Sequence, residues 1–237
     1  MEGINNDTQN KFKVGLSMDL SQLKKRSTAE IAQRIVEDIP DGATVNLGIG
    51  QPMTISNYLP PDREIILHSE NGLLGMGPLA VGDQIDHEVV NAGKQPVTML
   101  PGASLFHHAD SFAMIRGGHI DICVLGGFQV SVAGDLANWR TGDPKAIPAV
   151  GGAMDLALGA KKLFVMMEHL TKSGVSKIVN TCTYPITGLA VVDCIYTDLA
   201  TILVTPSGLI ALDWVDGLSF EQLRELSGVE IQNGKKS

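Results

Sequence analysis

The sequence predicts an α/β fold built on a mainly parallel, open sheet with helices on both faces. Short apolar runs with little polar alternation recur along the chain, as strands buried on both faces require. Glycine-rich corners and stretches with helical spacing separate them, which is the rhythm of strand, crossover and strand. With 44% apolar residues in 237, the chain is also long enough to bury one sizeable core.

Residues 1–26 are polar, rich in Asn and Lys, and carry no sustained period, so they read as a flexible arm ahead of one domain over residues 27–237. Ser27-Thr28-Ala29-Glu30 is a capping-box pattern in which hydroxyl and carboxylate satisfy the first free backbone N–H groups of a helix. Ile31, Ile35 and Ile39 follow at four-residue spacing, and Pro40-Asp41-Gly42 stops the helix. Strands are predicted over residues 44–47, 64–68, 96–100, 120–125, 163–167 and 189–195, with helical segments around 53–58, 110–115 and 153–158. Residues 202–205, the turn Pro206-Ser207-Gly208 and residues 209–214 predict a hairpin. A second capping box, Ser219-Phe220-Glu221-Gln222, opens the last helix.

Asp and Glu number 26 against 18 Lys and Arg, a net charge of -8, so the surface suits neither a nucleic-acid backbone nor an anionic membrane face. An anionic small ligand then needs a few placed basic groups. Apolar runs such as residues 163–167 fall far short of the ~20 residues of a membrane span. The N-terminal residues show no apolar signal region, and Cys123, Cys182 and Cys194 lack C-x-x-C spacing, which together predict a cytoplasmic protein without a disulfide framework.

The most unusual segment is residues 67–77, where a predicted strand runs into a loop with Glu70, Gly72, Gly75 and Gly77. Ligands of open parallel sheets bind beyond the carboxyl ends of strands, so Glu70 stands where a catalytic group would, although composition and position alone favour one more solvated surface acid. Asn46-Leu47-Gly48-Ile49-Gly50 is a strand-to-helix corner able to meet a ligand, but it holds only two of the three glycines of a dinucleotide fingerprint. His107-His108-Ala109-Asp110 has no second ligand pair, so no metal site is expected, and these polar residues read as a helix start with Asp110 or Ser111 as cap. Serine-hydrolase elbows, phosphate loops and H-E-x-x-H are absent. The pairs Gly117-Gly118, Gly126-Gly127 and Gly151-Gly152 suit either tight corners or backbone N–H groups aimed at an anionic oxygen.

Residues 67–75, L-H-S-E-N-G-L-L-G, resemble the glutamate signature of the B subunits of 3-oxoacid coenzyme A transferases. Further blocks follow in the same order: V-N-L-G-I-G at 45–50, N-A-G-K at 91–94, S-F-A-M-I-R-G-G-H-I-D at 111–121, G-D-L-A-N-W at 134–139, G-G-A-M-D-L at 151–156 and M-E-H at 167–169. The resemblance covers roughly residues 28–230 and leaves out the N-terminal arm. Within the family, residues 106–111, 123–132, 147–151 and 166–173 resemble the 3-oxoadipate branch. Acetoacetate-directed relatives carry Met-Ile-Pro-Gly-Lys after the G-D-L-A-N-W block, where this chain has Arg140-Thr141-Gly142-Asp143-Pro144.

The resemblance implies the coenzyme A transferase fold, activity together with an A subunit, succinyl-CoA and a 3-oxoacid as substrates, and no permanently bound cofactor. It implies that Glu70 attacks the thioester and carries CoA as a γ-glutamyl thioester. It assigns the oxyanion-binding N–H to Gly152 and a second donor to a Gln of the A subunit. It also places Asn46, Gly48, Gly50, Lys94 and Asn138 at positions that contact CoA.

Overall fold

The computed structural model describes residues 23–142, 145, 147–148 and 150–235. In chain order the elements are α1 (Thr28–Asp38), β1 (Thr44–Leu47), a 3₁₀ segment (Gln51–Asn57), β2 (Ile66–Ser69), β3 (Leu73–Leu79) and β4 (Val97–Leu105). Then come α2 (His108–Arg116), β5 (Ile122–Gly126), β6 (Gln129–Ser131), β7 (Leu136–Ala137), α3 (Ala153–Gly159), β8 (Lys162–Met167) and β9 (Ile178–Val179). The chain closes with β10 (Cys194–Thr197), β11 (Ala200–Thr205), β12 (Gly208–Trp214), α4 (Phe220–Ser227) and β13 (Ile231–Asn233).

Ten strands form one sheet in the order β13-β12-β11-β10-β8-β5-β1-β2-β3-β4. Its centre, β10-β8-β5-β1-β2, is parallel throughout, and antiparallel pairs flank it on both sides. Alternate residues of the central strands enter two separate cores, which is what their continuous apolar sequence requires. Ile122, Val124, Phe164, Met166 and Tyr196 pack with Ile31, Ile35 and Val36 of α1 on one face. Cys123, Leu125, Leu163, Val165 and Ile195 pack on the other with Ile115 of α2, Leu156 of α3 and Leu223 of α4. Helices therefore cover both faces, as the sequence predicts.

The helix ends form as their sequences dictate. Glu30 N–H donates to Ser27 Oγ at 3.2 Å while Ser27 N–H donates to the Glu30 carboxylate at 2.7 Å. Beyond Ile39 the proline forbids another turn, and Arg63 donates to the freed carbonyls of Val36 and Ile39, each at 2.7 Å. Residues 23–26 adjoin the domain firmly: Leu23 packs on the core and Arg26 N–H donates to Asp198 O at 2.8 Å. Residues 1–22 of the predicted arm lie outside the described residues.

Several expectations need correction. The glycine-rich stretch after Glu70 is strand β3 rather than loop; its register shifts around Met76 show how glycines enter a strand as bulges. The strand predicted over 96–100 continues to Leu105 as the partner of β3. Where a helical segment is expected around 53–58, Gln51–Asn57 form a 3₁₀ segment with Pro52 in its first turn rather than an α-helix. The strand predicted over 189–195 starts only at Cys194, because Ala190 turns at φ 51° and the Val191 and Val192 N–H groups both go to Gly134 O. The small sheet β7-β6-β9 and the edge strand β13 lack a strong apolar run and escape the sequence reading. The helix cap at α2 is His107, whose Nδ1 accepts the Ala109 N–H, whereas Ser111 is fully buried.

Ile35 is fully buried between α1 and the sheet. Ile35→Ala is expected to lower unfolding free energy by about 2–5 kcal/mol, read as a drop in the urea midpoint with unchanged slope. A loss below about 1 kcal/mol would contradict the packing described.

Candidate active site

The carboxyl ends of β2, β1, β5 and β8, four consecutive strands, open onto a cleft of about 480 Å³. Glu70 follows β2, Gly48 follows β1, Gly127 lies just past β5 and Glu168 just past β8, while Gly151 and Gly152 at the start of α3 form the opposite wall. Glu70 belongs to the turn joining β2 to β3, where only residues 70–72 separate the paired Ser69 and Leu73. Gly72 turns at φ 111°, and a Cβ there would collide with the Phe106 carbonyl, so the turn admits no other residue.

Hydrogen bonds brace the backbone before Glu70 on two sides. Asn46 Nδ2 donates to His68 O at 3.2 Å, which fixes the amide orientation, and contacts His68 Nδ1 at 3.0 Å. His68 Nδ1 must then be an acceptor and Nε2 must carry the proton, directed at Ser111 Oγ 2.8 Å away. Ser111 in turn donates to Ser69 O at 3.3 Å. Burial lowers the His68 pKa to about 4, so the imidazole is neutral near pH 7 and the ladder keeps one polarity. On the other side Ser69 Oγ accepts the Ala92 N–H at 3.0 Å and Asn71 donates to Val90 O at 2.7 Å.

The Glu70 carboxylate lies against Gly152: a Cβ at that position would overlap Oε2 of Glu70 and come within 2.8 Å of Phe112 Cζ. Partial burial raises the Glu70 pKa; the charge of His108 opposes the rise, and Asp155 adds to it. Asp155 is itself held by Arg116 at 2.7 Å, and Arg116 stacks over Phe112. The carboxylate is thus desolvated and has no cation bonded to it among the described residues. Such an acid is a poorly stabilised anion and a competent nucleophile.

Five of the seven residues singled out from sequence line this cleft: Glu70, Gly152, Asn46, Gly48 and Asn138. Asn46 is almost wholly buried, with its amide committed to His68. Gly48 is needed for close packing, since a Cβ would lie 2.8 Å from Leu125 Cδ2. Asn138 donates to Gly126 O at 3.1 Å and accepts from Thr187 Oγ1 at 2.6 Å, joining the small sheet to the end of β5. Gly50 and Lys94 do not line it. Gly50 is exposed at φ 94° before the 3₁₀ segment, and Lys94, at φ 61°, closes an exposed turn two residues past Ala92, itself a lining residue.

Two charged residues of the cleft escaped the sequence reading as site residues. Glu168 has a raised pKa, chiefly from burial and then from the Asp198 carboxylate behind it, and accepts weakly from Gln51 Nε2. Lys177 projects from the loop between β8 and β9 and donates to Gly127 O at 3.2 Å; burial lowers its pKa. Glu168 lies in the recognisable M-E-H block, but Lys177 has no local signal, since only the fold brings it to the strand ends. The neighbouring His169 is interior, bonded to Thr197 Oγ1 and Ser227 Oγ, with its pKa lowered by burial to about 4.

Comparison with known proteins adds an independent line. The family model described as Coenzyme A transferase matches residues 28–214. The chain is 60% identical over 208 residues to the B subunit of 3-oxoadipate CoA-transferase from Pseudomonas putida, covering 88% of this chain and 97% of that protein. It is 58% identical over 207 residues to the protein of the same name from Acinetobacter baylyi, covering 87% and 95%. Identity is 45% over 201 residues to the B subunit of a probable succinyl-CoA:3-ketoacid coenzyme A transferase from Bacillus subtilis, covering 85% and 93%. Among solved structures, an acyl-CoA transferase of Escherichia coli O157:H7 shares the fold with a TM-score of 0.69 at 17% identity, over 93% of this chain but 43% of that one. Glutaconate coenzyme A-transferase of Acidaminococcus fermentans gives 0.63 at 18% identity, over 89% and 87%.

The electrostatics of Glu70 can be measured directly. Carboxyl-carbon NMR is expected to show Glu70 titrating above the ordinary glutamate value, with Asp155→Asn lowering the midpoint and His108→Ala raising it further. An unshifted Glu70 titration would refute the desolvation described.

Proposed function

The chain belongs to the coenzyme A transferase family, and on that premise we propose that it moves CoA from succinyl-CoA to 3-oxoadipate with Glu70 as nucleophile. The observation that carries this reading is the desolvated Glu70 carboxylate pressed against Gly152 at the mouth of the parallel strands. Identity near 60% to two proteins named for 3-oxoadipate, against 45% to one named for 3-ketoacids, favours the longer diacid over acetoacetate as acceptor.

Ionised Glu70 attacks the thioester carbonyl and needs no general base. Collapse of the tetrahedral intermediate expels CoA thiolate and leaves a mixed anhydride of Glu70 with succinate. The thiolate attacks the glutamyl carbonyl, breaking the anhydride C–O bond, which releases succinate and leaves CoA on Glu70. The 3-oxoadipate carboxylate attacks this thioester and the steps run in reverse, returning free Glu70 and 3-oxoadipyl-CoA. Each tetrahedral oxyanion needs fixed donors, typically contributing about 2.7–4 kcal/mol apiece. Gly152 N–H is the donor within this chain, and a Gln of the A subunit the second. Asn46, Gly48, Gly50, Lys94 and Asn138 are assigned to CoA by the resemblance: Asn46, Gly48 and Asn138 line the cleft with Glu70, and Gly50 and Lys94 lie outside its lining. Closure against water protects the anhydride.

A missing surface supports the need for a partner. β4 is the outer strand of the sheet, and Met99, Leu100 and Leu105 on it, with Val81 and Ile85 before it, are exposed. An outer strand of nine residues with three exposed large apolar side chains is an aggregation hazard unless covered, and we assign this edge to the A subunit. All three cysteines are free thiols, and no helix among the described residues is long and apolar enough to cross a membrane.

Incubation of the complex of both subunits with succinyl-CoA is expected to add CoA to the peptide containing Glu70, seen by mass spectrometry. Glu70→Ala should remove the adduct and lower turnover by roughly 10³-fold or more; an active Ala variant would sink the assignment. kcat/KM for 3-oxoadipate should exceed that for acetoacetate. Leu105→Glu should reduce co-purification of the A subunit, and undiminished assembly would refute the role given to β4.

A further inference from the structure

The geometry points to Lys177 as the residue that holds the non-reacting carboxylate of the acyl group, selecting dicarboxylic over monocarboxylic thioesters. This deepens the transferase reading and rests on it. Succinate and 3-oxoadipate are both diacids: one carboxylate is consumed in forming the anhydride or thioester, and the other enters the cleft as a fixed negative charge. Among the described residues lining the cleft, Lys177 is the sole lysine or arginine, while Glu70 and Glu168 are carboxylates. An anion brought into this half-buried space without a cation would carry an uncompensated desolvation penalty and meet repulsion from both acids.

The lysine is built for such a role. Its backbone is fixed on both sides, with its N–H donating to His169 O and its carbonyl accepting from Val130, each at 3.0 Å. Its ammonium has Gly127 O as one acceptor, and an ammonium has three protons, so further donors remain for a ligand. Glu168 and then Asp198 act on its charge from nearby, but neither is bonded to the ammonium: Asp198 pairs with Lys25 at 3.1 Å and accepts the His169 N–H at 2.7 Å, and Glu168 accepts from Gln51.

Spacing also agrees. Gly127 and Glu70 follow β5 and β2, with β1 between them. The pairing Asn46↔His68 and Asn46↔Cys123 sets Glu70 level with Leu125, two residues short of Gly127. Two strand spacings and two residues of rise put the backbones roughly 12 Å apart. The Lys177 ammonium sits 3.2 Å from Gly127 O, so it occupies the far side of the same cleft from the Glu70 backbone, a separation that a short acyl chain with two charged ends can span.

The test compares succinyl-CoA with butyryl-CoA, which carries a methyl where succinyl has its free carboxylate, on the wild-type and Lys177→Met complexes. The succinyl-to-butyryl ratio of kcat/KM for Glu70 adduct formation is expected to fall by about 10–100-fold in Lys177→Met, mainly through KM, the loss typical of a charged hydrogen bond. Lys177→Arg, which keeps the charge, should recover part of the ratio. An unchanged ratio overturns the proposal, as does an equal loss with both thioesters, which is what a purely structural lysine would give. If the wild-type complex forms no adduct with either thioester, the transferase reading itself fails, and that result is distinct from an unchanged ratio.

Discussion

A neutral imidazole in the interior holds the reactive end of the sheet in place. His68 accepts from Asn46 of β1 and faces Ser111 of α2, and Ser111 passes the ladder on to the Ser69 carbonyl, the last before Glu70. Burial away from water disfavours the charged imidazolium and depresses the basicity of His68, and a protonated ring would also set an N–H against the amide N–H of Asn46. One uncharged ring thereby fixes a strand, a helix and the position of the carboxylate.

Burial raises the pKa of Glu70 and lowers that of Lys177, and Glu168 is raised by burial and then by Asp198, so each charge is less well solvated than it would be in water. Such groups cost the fold some stability and are poised to meet a charged ligand. The stability that tolerates them comes from the two apolar cores on either face of the sheet, whose residues alternate along β5, β8 and β10. Chemistry and stability are thus largely separated along the strands: apolar alternation fills β5 and β8, and the polar groups gather at and beyond the carboxyl ends, with Asn46, His68 and Ser69 as the buried polar exceptions within β1 and β2.

The parts legible in the sequence were those written locally. Both capping boxes, the central strands and the Pro206-Ser207-Gly208 hairpin depend on neighbours a few residues apart, and they formed as expected. Glu70 was legible because its turn is spelled out in consecutive residues. Strand β3 was not, because its glycines suggest a loop until β4 arrives to pair with it. Lys177 was invisible for a related reason: 107 residues separate it from Glu70, and only the parallel stacking of β2, β1, β5 and β8 brings both to one cleft. Ser111 reads in the sequence as a candidate helix cap because nothing in its own segment announces the distant imidazole it faces.

The turn that carries Glu70 has no spare length. Ser69 and Leu73 are paired across it, Gly72 fills the space against Phe106, and side chains alternate faces on either strand. Inserting or deleting one residue between them would turn all of β3 over, burying what now faces outward and exposing Leu73. The reading frame of the hairpin and the position of the nucleophile are therefore set together by the length of this turn, and insertion at the corner is closed just as substitution of Gly72 is.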